Sequence, residues 1–250
     1  FGGAAGYLLM MFIIIYGNMV MRSVIEEKTN RIIEIIVSSV KPIQLMLGKV
    51  LGTSLAGITQ FTVWVILGGI LYTIAGLYFG IDLMNAQPGQ IDTHQLNIPE
   101  VNQLVADVLN LPIFSLIVYF LIYFLGGYFL YSAIYASIGA AVDSETDTQQ
   151  FMLPVIIPLM LGIYVGFFAV IENPHGTVST IFSMIPLTSP IVMLMRIPFG
   201  VPWWEISLSI LILLLTNTAV VWIAAKIYRV GILMYGKKAS YKEIYKWLKY

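Results

Sequence analysis

Long stretches without a charged residue alternate with short charged segments along the chain. The uncharged runs cover residues 1–21, 50–81, 108–142, 148–171, 173–195 and 206–225. A helix needs about 20 apolar residues, each adding about 1.5 Å, to cross a hydrocarbon core of about 30 Å. Five runs are apolar enough to span, whereas the run 173–195 contains Pro174, Pro186 and Pro190. Because proline removes a helix donor and kinks the chain, we interpret that run as a broken or re-entrant segment.

Basic residues are concentrated in two parts of the chain. The chain has 13 basic and 13 acidic residues and therefore no net charge. Twelve of the 13 basic residues lie between 22 and 49 or from 226 onward, and Arg196 is the exception. Because basic loops stay in the cytoplasm, five spans place the first residue outside and the C-terminus inside the cell. The charge balance also excludes a bulk basic surface, so we expect no nucleic-acid partner.

The pattern predicts an all-α fold, a polytopic membrane helix bundle with five transmembrane helices and a proline-broken re-entrant segment. The transmembrane domain is predicted over 1–228 and a cytoplasmic interfacial tail over 229–250, in which Trp247 can anchor at headgroup depth. An acidic external segment, 82–110, follows the second span. The spans are placed at about 1–21, 50–80, 112–142, 150–171 and 206–227, the cytoplasmic loop at 22–49 and the external re-entrant segment at 173–204.

Composition supports a membrane protein and excludes several kinds of chemistry. Apolar residues make up 59% of the chain and charged residues 10%, whereas soluble domains carry about 25% charged residues. The chain has no Cys and two His, so disulfides and thiolate metal sites are excluded and we expect no metal or other cofactor. Neither Gly48-Lys49 nor Gly236-Lys237 has the glycine spacing and the Ser/Thr of a nucleotide-binding loop. We therefore expect no enzymatic activity in this chain.

The predicted spans contain few polar residues near their middle. Asn217 and Gln60 are the most central ones, and each is read either as an interhelical hydrogen bond or as part of the lining of a substrate path. Pro154 and Pro158 lie one turn apart on the fourth span, where they predict a kink. This kink is either a packing feature or a hinge for alternating access. The possible substrate path therefore comprises Gln60, Asn217, Pro154 and Pro158.

Small residues recur four positions apart in two predicted spans. Such ridges let helices approach closely in lipid, so they predict a packed bundle or a dimer face. The ridges are Gly48, Gly52 and Ala56 in the second span and Ser132, Ala136 and Ala140 in the third.

The segment 22–49 has the pattern of an amphipathic helix. Glu27 and Arg31 are spaced as a favourable i,i+4 pair, Pro42 can open the next helix, and Lys49 can snorkel to the membrane interface. Such a helix can lie on the inner leaflet of the membrane. This position alone does not explain three acidic residues beside anionic lipid, so the charged face also favours a protein partner. The apolar face is predicted to contain Ile25, Ile32, Ile33 and Ile36.

This segment also resembles the cytoplasmic loop of type 2 ABC exporter permeases of the sodium- and drug-export-like branch. The similar residues are Glu26-Glu27-Lys28-Thr29-Asn30-Arg31-Ile32-Ile33-Glu34, Ser38-Ser39, Lys41-Pro42 and Gly48-Lys49. The resemblance implies a permease subunit in the cytoplasmic membrane, working as a homodimer or heterodimer that exports substrate with ATP hydrolysed by a separate ATPase subunit. It also implies that the loop docks on this ATPase through Glu26, Glu27, Lys28, Arg31 and Glu34.

The chain begins with Phe1 and has five spans, whereas members of the family have six, so we expect a C-terminal fragment that lacks the first span. The alternative functions are a secondary carrier or channel without an ATPase partner, and a membrane assembly factor that transports nothing. Co-purification with an ATPase would distinguish the first interpretation from both alternatives.

Overall fold

The computed structural model describes residues 2–37, 39–78, 113–234 and 241–248. All regular structure in these residues is helical, which confirms the predicted all-α class. Short 3-10 turns at Glu145–Thr148 and Ile197–Phe199 and a π-helical turn at Gly166–Val170 connect longer elements. The helices are α1 (Gly2–Thr29), α2 (Ile32–Val37), α3 (Pro42–Tyr78), α4 (Ile113–Ala141), α5 (Gln149–Val165), α6 (Thr177–Met184), α7 (Ser189–Arg196), α8 (Trp203–Gly231) and α9 (Tyr241–Trp247). The predicted external segment 82–110 lies outside the described residues.

Among the residues that the structure describes, five helices are long and apolar enough to cross a membrane, which confirms the predicted number. Helix α1 continues to Thr29, beyond the predicted end of its span at 21, and α3 starts at Pro42, ahead of the predicted 50. The difference arises because backbone hydrogen bonding continues a helix past its apolar run. The membrane-spanning candidates are Gly2–Thr29, Pro42–Leu71, Ser115–Ala141, Glu145–Val170 and Trp203–Gly231.

The chain divides into two compact units. The first comprises 1–57 and 118–250, and the second comprises Ile58–Ile117. In the second unit, the described part of α3 exposes large apolar side chains such as Ile66 and Leu71, as expected of a helix surrounded by lipid. The contacts described below all belong to the first unit.

Aromatic side chains of α4 form the centre of the first unit. Phe124 contacts Phe12 of α1 edge to face, with ring centroids 5.7 Å apart. The hydroxyl of Tyr128 donates to the carbonyl of Val50 in α3 at 3.1 Å, and that of Tyr131 donates to the carbonyl of Leu187 at 2.6 Å. Because a buried hydroxyl must find an acceptor, these hydrogen bonds fix the position of α4 along its axis relative to α3 and to the segment before α7.

Helix α7 lies wholly inside the first unit, with all eight of its residues buried. Its closest neighbour is the N-terminal half of α1, where a Cβ on Gly2 would lie 2.5 Å from the carbonyl oxygen of Met195 and one on Gly6 would lie 2.6 Å from the Met195 Cγ. Only glycine permits this approach. The proline-broken segment therefore folds as two short helices, α6 and α7, of which α7 fills the interior. That this pair re-enters the membrane stays a prediction.

The two ridges of small residues have different environments. Ala136 and Ala140 of α4 are completely buried, and a Cβ on the neighbouring Gly139 would lie 2.7 Å from the carbonyl oxygen of Met21 in α1. By contrast, a Cβ added to Gly48 or Gly52 would meet nothing within 4 Å. The α4 ridge thus packs inside the bundle, whereas the α3 ridge lies on the surface of the first unit.

The tail helix α9 packs against the end of α8. Trp247 is buried, and its ring lies 3.1 Å from the position of a Cβ on Gly231. The Lys226 ammonium donates to the carbonyl of Leu248 at 3.1 Å. Trp247 therefore packs the tail helix against α8. The sequence had predicted only that Trp247 can anchor at headgroup depth, without this contact.

Candidate functional site

Helix α1 ends where the predicted loop helix was expected to continue. Arg31 has a φ of 57°, in the left-handed region that ends a helix, and α2 starts at the next residue. The single amphipathic helix predicted through this region is therefore wrong, because Ile25 belongs to α1 and Ile32 to α2. The predicted pair between Glu27 and Arg31 is also wrong, since Arg31 has left the helix on which that spacing depends.

Lys28, predicted to contact a partner, is turned into the protein. Its side chain is 2% exposed, and its ammonium donates to the carbonyls of Ala140 at 2.8 Å and Val142 at 3.1 Å. It also forms an ion pair of 2.9 Å with Asp143. The last carbonyls of a helix have no partner within the helix and carry partial negative charge. Lys28 of α1 therefore caps the C-terminus of α4.

Lys49 connects the beginning of α3 to the end of α1. Its ammonium lies 2.5 Å from the Glu27 carboxylate and donates to the Ser23 hydroxyl at 2.6 Å. The Lys49 side chain is only 10% exposed, so water screens this pair weakly. Lys49 therefore joins two helices, and its place at the membrane interface stays a prediction.

A third ion pair joins α1 to the turn after α4. Arg22 lies 3.3 Å from Glu145, with side chains 61% and 51% exposed. The C-terminal end of α8 reaches the same place, because Gly231 lies against the Ala140 carbonyl. The ends of α1, α4 and α8 and the beginning of α3 thus form one polar cluster, which we call the polar end of the first unit.

Beside the polar end, the segment from Glu26 to Ile43 presents an exposed surface. Ile35 is 75% exposed and Ile32 is 45% exposed, although both belong to a six-residue helix next to charged residues. Glu26 and Arg31 are exposed on the same segment. Glu34 lies in α2, and its side chain is outside the described part. We call this surface, comprising Glu26, Arg31, Ile32, Ile35, Val40 and Ile43, the loop surface.

At the opposite end of α1, Arg196 is completely buried. Its guanidinium donates to the Pro174 carbonyl at 2.7 Å, the Ser183 hydroxyl at 2.6 Å and the Thr180 hydroxyl at 3.1 Å. It also forms an ion pair of 2.9 Å with Glu205 at the start of α8. The planar fork of arginine is suited to several fixed partners. Arg196 therefore joins α6, α7 and α8 and the loop before α6.

Sequence reasoning counted Arg196 only as an exception to the basic pattern. Its isolation is the signal that could have identified it, because a lone charge among prolines and apolar residues must find a partner when buried. Glu205, the first acidic residue after it, was the available partner.

The four residues of the predicted substrate path have different environments. Asn217 is buried between α8 and α4, and its amide nitrogen donates to the Gly126 carbonyl at 2.9 Å. Asn217 also lines a groove between α4 and α8. Pro154 and Pro158 are inside α5 and do not line that groove. Gln60 belongs to the second unit. Of these four residues, Asn217 is therefore the one that is both buried and part of a described groove.

The comparisons with known proteins agree with this architecture. The family model described as "ABC-2 family transporter protein" matches residues 1–226, so the chain belongs to this family and is a membrane component of a transporter. With five apolar helices, it is a multi-pass membrane protein.

Two curated relatives resemble the chain. It is 31% identical over 241 residues to the uncharacterized protein YhaP of Bacillus subtilis (strain 168), an alignment covering 95% of this chain and 52% of YhaP. It is 27% identical over 241 residues to the uncharacterized protein MJ1024 of Methanocaldococcus jannaschii, with coverage of 96% and 51%. The chain thus spans about half the length of both relatives. No solved structure matches it.

Proposed function

We propose that the chain is the permease of an ATP-driven exporter in the cytoplasmic membrane, and that a separate ATPase subunit docks on its loop surface. The observation that carries this proposal is the exposure of Ile35 and Ile32 on a short helix outside the apolar spans. Exposed apolar side chains rimmed by charges mark protein interaction sites. Glu26 and Arg31 supply that rim and would fix the orientation of the partner.

The sequence-derived partner residues take separate roles in this proposal. Glu26 and Arg31 are exposed and can contact the ATPase directly. Glu27 and Lys28 face the polar end, where they would pass a displacement of the loop to α3 and α4. Glu34 stays a predicted contact.

The polar end supports a cytoplasmic position for the loop. The acidic turn after α4 carries no basic residue and is therefore difficult to place from charge alone. Its residues Asp143 and Glu145 pair with Lys28 and Arg22 of α1, so turn and loop share one side. The first residue of this chain would then be outside and its C-terminus cytoplasmic. Two copies of the permease, identical or different, would match two ATPase subunits.

The test is Ile35→Asp in the permease co-expressed with its ATP-binding-cassette ATPase. A carboxylate at the centre of an apolar contact is left desolvated, so we expect co-purification of the ATPase to fall by at least about tenfold. The matched control is Leu233→Asp, because Leu233 is 51% exposed after α8 and lies outside the loop surface. Equal ATPase recovery with Ile35→Asp and the unchanged permease would refute the docking site.

A secondary carrier or channel is the remaining functional alternative. It would move substrate along an ion gradient without an ATPase. Flux that persists in proteoliposomes containing the permease alone, without ATP, would favour this alternative.

A further inference from the structure

A groove lies between α4 and α8 at the middle of the bundle's length. Its volume is about 490 Å³, within the range of about 300–1,000 Å³ typical of small-molecule sites. The walls are apolar side chains of both helices, among them Ile122, Leu125, Phe129 and Leu214. Asn217, the central residue of α8, forms part of the wall. Transporters commonly bind substrate at this depth.

The hydrogen bonds of Asn217 are incomplete. Its amide nitrogen donates to the carbonyls of Gly126 at 2.9 Å and Leu213 at 3.1 Å, so both amide hydrogens are used. Its Oδ1 atom is buried, and no donor within the described residues reaches it. The amide orientation is fixed, because the two carbonyl neighbours can only accept. An interhelical hydrogen bond therefore accounts for the nitrogen of Asn217 but not for the oxygen.

The polar neighbour of Asn217 does not supply the missing donor. Thr218 also lines the groove, but its hydroxyl donates to the Leu215 carbonyl of its own helix at 2.7 Å. A buried acceptor without a donor has lost its bond to water and gained none in return, which destabilises the groove. Asn217 lines the groove, so a bound molecule that reaches Oδ1 would supply this donor.

We propose that the groove binds an uncharged amphiphile with an apolar body and one hydrogen-bond donor, such as a hydroxyl group, which donates to Asn217 Oδ1. The apolar walls require the apolar body. No charged side chain lines the groove, so an ionic headgroup there would be left without a partner. Since the amide hydrogens are already used, a molecule that can only accept, such as an ether, gains nothing at this position.

This inference deepens the proposed function, because the bound amphiphile would belong to the class of exported substrates. It is nevertheless tested by binding alone, without ATP or an ATPase. Failure of the docking test at Ile35 would leave this site unaffected, and failure here would leave the docking of the ATPase unaffected.

The experiment compares two photoactivatable probes, a long-chain alcohol with a diazirine in its chain and the methyl ether of the same alcohol. Each is irradiated with the purified permease in lipid nanodiscs, and labelled peptides are identified by mass spectrometry. We expect the alcohol to label the groove segments, 122–129 and 210–221, at least about fivefold more than the ether, as one hydrogen bond to a buried acceptor predicts. Asn217→Leu should abolish this preference, whereas Thr218→Val should retain it.

A second variant keeps the test independent of the folding of Asn217→Leu. Leu214→Trp leaves Asn217 intact and fills the groove from an exposed position, so labelling by the alcohol should fall at the groove segments only. Equal labelling by alcohol and ether would overturn the proposal and indicate ordinary lipid contact. If a short bifunctional reagent joins the groove segments of two copies, the proposal is also overturned, because the groove would then be a dimer interface.

Discussion

At the scale of single residues, the surroundings of a charge determine its role more than its place in a motif. Lys28 and Arg22 both join α1 to the region after α4, but Lys28 is almost completely buried and Arg22 is mostly exposed. Exposed ion pairs contribute little because water and salt screen them. A buried ammonium that also caps a helix leaves several polar groups without partners when it is removed.

We therefore predict that Lys28→Met lowers the free energy of unfolding by about 1–3 kcal/mol. The partly exposed Asp143 can be rehydrated, which keeps the loss below that of a fully buried pair. Arg22→Met, the matched control at the exposed pair, should cost no more than about 1 kcal/mol. Thermal unfolding in detergent measures both changes. Equal losses in the two variants would show that Lys28 is not a structural cap.

None of these long-range partners could be predicted from the sequence. Spacing along the chain suggested Glu27 with Arg31, yet Glu27 pairs with Lys49. The local pattern assumes a continuous helix, and the left-handed conformation of Arg31 ends it. The sequence at Arg31 does not predict this conformation, because the left-handed residue that follows a helix is usually glycine or asparagine.

At the scale of helices, the sequence predicted more, because the bilayer restricts the choices. A span of about 20 apolar residues must satisfy its backbone internally, so each of five such runs becomes a helix. The proline-broken run was identified correctly as interrupted, since Pro174 precedes α6 and Pro186 lies between α6 and α7. Which face of each helix is buried depends on the neighbouring helices. The sequence alone therefore could not show which of the two ridges of small residues, on α3 and on α4, is buried.

The difference between these ridges gives a second prediction. Gly139→Ala would place a Cβ 2.7 Å from the Met21 carbonyl oxygen, and moving α1 away should cost about 1–3 kcal/mol of unfolding free energy. Gly52→Ala on α3 meets nothing within 4 Å and should leave stability unchanged or raise it through helix propensity. Unfolding temperatures of the two variants provide the comparison. A stable Gly139→Ala protein would contradict the close contact between α1 and α4.

At the scale of the whole molecule, the proposed function divides docking and transmission between the loop surface and the polar end. The exposed side chains of the loop surface are available to a partner. The paired side chains behind them hold α1, α3 and α4 together, so that a push on the loop reaches several helices. Docking and transmission should therefore be separable by mutation.

The pair between Glu27 and Lys49 allows that separation to be measured. Either single reversal, Glu27→Lys or Lys49→Glu, brings like charges together and should reduce stimulation of the ATPase by the permease at least about fivefold. The ATPase should still co-purify, because the loop surface is unchanged. The double reversal restores opposite charges and should recover most of the stimulation. If the double reversal is as inactive as the single changes, the pair does not transmit the movement.

The buried guanidinium of Arg196 has a consequence for how the protein is made. A ribosome delivers Arg196 to the membrane before Glu205, so for a short time the cation has no counterion. A buried charge without a partner is expensive, so α7 cannot take its buried place in the protein at that stage. The first turns of α8 must leave the ribosome before α7 can be buried. Folding of α8 and burial of α7 are thus coupled in biosynthesis, and a chain truncated just after Arg196 would lack the counterion that its buried guanidinium requires.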